Sequence, residues 1–133
     1  MKKRIFSLVM AVLMLLTFNI SANAQSCMQP RYSYTVSVTP RLSITSSQAN
    51  CSVIITGESE VTKIKVKIIL QKKGLLKWNN VTIWTHEVNS TRLSTNYHYG
   101  PLNSDTYRVK VEATVYAGSA SETITSYSSQ VKI

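Results

Sequence analysis

The stretch Lys63-Ile-Lys-Val-Lys-Ile-Ile-Leu-Gln71 decides the fold class. Ile64, Val66, Ile68 and Leu70 fall on one side of an extended chain, and Lys63, Lys65 and Lys67 on the other. In a strand, successive side chains point to opposite faces. The pattern therefore predicts a strand with one face on a core and one in water, as antiparallel sheets have. A helix would scatter the same lysines around its axis.

The same period of two runs outward in both directions. Upstream, Tyr32, Tyr34, Val36 and Val38 alternate with small polar residues up to Pro40, and Leu42 and Ile44 continue the pattern. Cys51, Val53 and Ile55 form the next alternating run, ending at Gly57. Downstream, Lys72-Lys73-Gly74 predicts a turn into Trp78–Val88. That segment loses its alternation at Asn79-Asn80, which predicts a bulge. Leu93, Thr95, Tyr97 and Tyr99 share a face of a further strand, closed by Gly100-Pro101. Tyr107, Val109, Val111, Ala113 and Val115 line one face of another long strand, with Arg108, Lys110, Glu112 and Thr114 on the reverse. Gly118-Ser119 predicts a turn into a last strand over 123–133. Short strands with turn signals between them predict an antiparallel β-sandwich of seven to eight strands.

The N-terminus has a different character. Lys2, Lys3 and Arg4 precede an apolar run from Ile5 to Phe18, followed by Ser21-Ala22-Asn23-Ala24. A basic head, a short apolar middle and an A-x-A end are the parts of a secretory signal peptide. The run is short for a membrane anchor, which needs roughly 20 apolar residues. The reading is a signal-peptide helix over 1–24 and a secreted, extracellular domain over 25–133. No second apolar run follows, so no membrane span is expected in the mature chain. Lipid attachment at Cys27 fits less well, because Gln25 stands where a small residue is needed.

Of 15 basic residues, Lys2, Lys3 and Arg4 leave with the leader, so twelve remain against six acidic ones. A basic exported domain is drawn to anionic envelope polymers, glycans or acidic extracellular proteins. The same charge also simply keeps a small domain dispersed. Nucleic acid is a poor partner for an exported chain that carries no nucleic-acid motif. Cys27 and Cys51 are the two cysteines. In an exported chain they suggest one disulfide, worth about 3 kcal/mol by loop entropy. The alternative is two free thiols, with Cys51 packed as a small apolar residue.

Catalytic equipment is not visible. There is no H-E-x-x-H and no G-x-S-x-G, and His86 and Glu87 are neighbours that point to opposite strand faces. Glu58 and Glu60 are better explained as solvated turn residues than as a catalytic pair. No zinc spacing, calcium loop or phosphate-binding glycine loop occurs, so no metal and no cofactor is expected. The chain reads as a non-enzyme.

Two surface features carry binding hypotheses. Lys63, Lys65 and Lys67 would share an outer sheet face with Arg108 and Lys110 if their strands are neighbours. The five would then form a cationic strip for an anionic surface, or merely solvate a sheet face. Trp78, Trp84, Tyr97 and Tyr99 would form an aromatic platform for a sugar or a protein, or fill the space between sheets. The leading expectation is a secreted, non-catalytic binding or structural module. The alternative is a small secreted effector, an inhibitor or antimicrobial factor acting through its cationic face.

Leu102-Asn-Ser-Asp-Thr-Tyr107-Arg-Val109-Lys-Val111-Glu-Ala113 resembles the E–F corner and F strand of fibronectin type III and immunoglobulin-like domains. The resemblance implies that the Tyr107 hydroxyl bonds back to the corner backbone. The Leu-to-Tyr spacing is one residue short of the usual fibronectin pattern, and Pro101 precedes the leucine. A second resemblance rests on Cys51–Gly57, Lys63–Lys73, Trp78-x-x-Val81-x-x-Trp84 and Tyr107–Tyr116. Together these resemble uncharacterised small secreted β-sandwich proteins of Gram-positive gut bacteria. That likeness implies export and the sandwich, and supplies neither an activity nor site residues.

Overall fold

The computed structural model describes Tyr32–Ile133. The leader expected over residues 1–24, and Cys27, lie outside the described residues. Eight strands follow in order: β1 Thr35–Thr45, β2 Gln48–Gly57, β3 Lys63–Lys73, β4 Trp78–Val88, β5 Arg92–Tyr99, β6 Thr106–Ala117, β7 Ala120–Tyr127 and β8 Val131–Lys132. All pairings are antiparallel. One sheet runs β1-β2-β5 and the other β4-β3-β6-β7, with β8 also on β6. This is an immunoglobulin-like antiparallel β-sandwich. Relative to the constant-type immunoglobulin arrangement, the fourth strand sits beside the third instead of the fifth.

The alternation read from Lys63–Gln71 is what places the core. Ile64, Val66, Ile68 and Leu70 are fully buried against Val109, Val111, Ala113 and Val115 from β6 and Val53, Ile55 and Leu93 from the facing sheet. Burying each Val, Leu or Ile contributes about 1.5–3 kcal/mol, so two interleaved inner faces supply most of the driving force.

The expected bulge is present. Leu70 pairs with Thr82 but Gln71 with Asn80, so Val81 is the extra residue. The chain uses that step to turn Val81 onto the core while Asn80 and Trp78 face outward. Gly118, with φ of 62°, opens the two-residue β6–β7 turn, where glycine meets no steric penalty.

The tyrosine corner is formed. Tyr107 is buried, and its hydroxyl donates to the Asn103 carbonyl at 2.9 Å. Leu102 is buried beside it in the core.

Three details differ from the sequence reading. β1 continues through Pro40, which pairs with Val53. β1 is an edge strand with a ladder on one side only, so a residue without an N–H is tolerated there. The β1–β2 hairpin turns at Ser46-Ser47, both with positive φ, 51° and 62°. A primed two-residue turn needs this conformation, and without Asn or Gly the sequence carries little sign of it. The last strand is broken between β7 and β8. There the Ser128 hydroxyl accepts from the Val109 amide at 2.8 Å, in place of a backbone partner.

Candidate functional site: the outer face of the larger sheet

β3 and β6 are hydrogen-bonded neighbours, so all five expected cations stand on one outer face. Strand pairing sets them in rows. Glu87, Lys65, Thr114 and Thr123 lie across the sheet in one row, and Thr85, Lys67, Glu112 and Thr125 in the next. Ile83, Ile69, Lys110 and Tyr127 follow.

The strip is not uniformly positive. Lys63 Nζ lies 3.8 Å from Glu87, and Lys67 and Lys110 reach Glu112 at 3.8 and 2.9 Å. The Lys110 hydrogen bond, with the field of Lys67, holds the Glu112 carboxyl below its ordinary range despite some burial. Among the described residues, Lys65 is the one lysine of the strip without an ion pair. Lys65 and Lys67 border a shallow groove of about 360 Å³, lined also by Thr85, Thr114, Thr123, Tyr116 and Glu112. Lys63 closes one end of this region by lying 4.6 Å from the Tyr116 ring centre.

Arg108 behaves differently from the lysines. Its guanidinium is 4.1 Å from the Trp78 ring centre and 4.3 Å from that of Tyr127. Its Nε donates to Gln71 Oε1 at 2.9 Å, and Gln71 donates in turn to Asn80 at 3.0 Å. A guanidinium held between two rings has its charge masked and its rotamers restricted. Arg108 therefore braces the sheet face more than it offers a charge.

The expected aromatic platform divides. Trp84 and Tyr97 stack at 5.1 Å with planes 10° apart, and Tyr99 meets Trp84 edge-on at 6.4 Å. These three close the side of the sandwich between the edge strands β4 and β5. Trp84 and Tyr97 pack on the core, while Tyr99 is exposed at the rim. Trp78 belongs to the opposite surface, beside Arg108. The cause is the bulge at Val81, which reverses facing along β4.

Cys51 is a free thiol on the inner face of β2, wholly enclosed, and burial pushes it up to about 12. It packs as a small apolar residue. The start of β1 is fastened by another device, which the sequence reading missed. Glu122 on β7 accepts from the Ser33 and Tyr34 amides at 2.9 Å and from Thr35 Oγ1 at 2.7 Å. Its partners lie nearly ninety positions away, so no local pattern marks it.

Among the described residues no three His, Cys, Asp or Glu side chains converge as metal ligands, and no helix is long and apolar enough to cross a membrane. The fold and this face define an immunoglobulin-like sandwich with a mixed-charge, hydroxyl-bearing sheet surface. No protein-family model matches the chain, and no curated protein matches it.

Proposed function

We propose that the protein is an exported, non-catalytic binding module whose outer sheet face holds an anionic extracellular polymer, a phosphate- or sulfate-bearing glycan. The observation that carries this reading is the groove beside Lys65. It combines an ammonium group without an ion pair, three threonine hydroxyls and the Tyr116 ring. Lysine meets the polymer's charge as a point donor, threonine bonds to sugar hydroxyls, and the ring gives a flat apolar contact. Lys67 and Lys110 contribute less, because Glu112 already occupies them. The signal-like pattern of residues 1–24 supports an extracellular setting.

Retention on immobilised sulfated mucin glycan or teichoic acid tests this function. The wild type is expected to elute at higher salt than Lys65→Gln, because exposed charges are screened beyond about 8 Å at physiological ionic strength. Lys67→Gln should shift elution less than Lys65→Gln. Equal elution of wild type and Lys65→Gln would remove the groove as the binding site.

A further inference from the structure

The tip of the β3–β4 hairpin has a composition that the groove does not use. The strands end at the pair Lys73 and Trp78, and Gly74–Lys77 forms the apex. The Gly74 amide donates to the Lys77 carbonyl at 2.9 Å and closes the loop. A Cβ on Gly74 would stand 2.5 Å from that carbonyl oxygen, so the tight closure needs glycine. The loop so held projects Leu75 and Leu76 fully into solvent, at 104% and 100% exposure. Other apolar side chains of the sandwich are partly exposed, Val36 at 59% and Ile83 at 50%, but only these two adjacent leucines are wholly in solvent among the large apolar residues described. Around them stand Lys72, Lys73 and Lys77, with Trp78 just behind. Lys72 lies 3.4 Å from Asp105, whereas Lys73 and Lys77 have no carboxylate partner among the described residues.

We propose that this apex is a membrane-docking wedge for an anionic lipid surface. Leu75 and Leu76 enter the boundary between headgroups and acyl chains. Lys73 and Lys77 keep their ammonium groups among lipid phosphates while their stems follow the leucines. Trp78, already positioned by Arg108, sits at headgroup depth, where its amphipathic ring is favoured. Charge selects this occupant over a second copy of the chain, because pairing two apices would bring lysines against lysines. Sugar hydroxyls offer no gain to two bare aliphatic side chains. The apex is also separate from the Lys65 groove. The eight steps along β3 from Lys65 to Lys73 span roughly 27 Å at the usual rise.

The experiment uses the full chain with vesicles of phosphatidylcholine alone or mixed with phosphatidylglycerol, some with bromine on the acyl chains. Two readings are taken, sedimentation with the vesicles and quenching of tryptophan emission. The wild type is expected to bind phosphatidylglycerol vesicles more tightly and to be quenched by bromine. Leu75→Ser/Leu76→Ser should weaken that binding by on the order of 10- to 100-fold. Its melting temperature should stay unchanged, because neither leucine touches the fold. Trp78→Phe should lose the quenching, because Trp84 packs on the core away from the apex. Residues 1–31 are common to every variant, so the ratios report the apex alone. Equal binding by wild type and the double-serine variant overturns the proposal, and so does quenching that survives in Trp78→Phe. An acidic protein as the true partner would appear as the first of these. Lys65→Gln should leave the vesicle ratios unaltered, so failure here and failure of the polymer reading are told apart.

Discussion

Glu122 offers the sharpest test of how this sandwich is fastened. Its carboxylate takes three hydrogen bonds at the start of β1, two part-buried and one, from Ser33, exposed. Buried hydrogen bonds to a charged group contribute about 1.5–3 kcal/mol each, and exposed ones far less. With water able to reach this site, about 1 kcal/mol for each part-buried bond is a fair value, so Glu122→Ala should cost about 2 kcal/mol. In a domain of this size that lowers the melting temperature by roughly 10 °C. The pH dependence has a definite sign. Partial burial pushes the carboxyl up, but the bonds from Thr35 Oγ1 and the Tyr34 and Ser33 amides outweigh it, and its pKa lies below the ordinary 4.5. A depressed folded-state value means the added stability is fully present above pH 4.5 and is lost as pH falls through the folded value. Glu122→Gln resembles the protonated acid. The melting-temperature gap between wild type and Glu122→Gln should therefore be widest near neutrality and close in strong acid. Asp105 and Glu112 also titrate low, but both proteins contain them and their effect cancels. Thermal unfolding followed by circular dichroism from neutral to strongly acidic pH measures the gap. A gap of constant size across that range would refute the carboxylate account.

Three further outcomes can be checked by similar means. Tyr107→Phe removes the hydrogen bond to the Asn103 carbonyl and should cost about 1 kcal/mol in chemical denaturation, with the sandwich retained. Ser46→Asn with Ser47→Gly relieves two positive-φ serines and should raise stability by about 1 kcal/mol, whereas unchanged melting would mean that serine bears these angles without strain. Cys51 should resist iodoacetamide in the native protein and react once guanidinium unfolds it without reductant, read by peptide mass spectrometry. Modification that needs reductant would instead establish a bridge to Cys27.

The core was legible because strand periodicity is a local property. Lys63–Gln71 and Tyr107–Val115 each show which side is buried without reference to any partner, and the structure buries those residues. The tyrosine corner was equally readable, since Leu102 and Tyr107 lie close together and the acceptor, Asn103, falls between them. The candidate site was half legible. Strand facing put the lysines outward, but whether they act as free charges depends on Glu87 and Glu112 from neighbouring strands. The aromatic residues were the least legible. One extra residue at Val81 sends Trp78 and Trp84 to opposite surfaces, and a period of two cannot show on which side of a bulge a ring emerges.

By itself, then, Lys63–Gln71 and its neighbours determined an all-β sandwich, its inner faces and most of its turns, because burial in a strand is decided residue by residue. Only the tertiary structure decided which charges cancel, that Arg108 is spent between Trp78 and Tyr127, and that Glu122 holds the distant start of β1. It also decided that Leu75 and Leu76 stand bare at the hairpin apex. Each of these depends on register and facing between strands far apart in the chain, which short-range pattern does not encode.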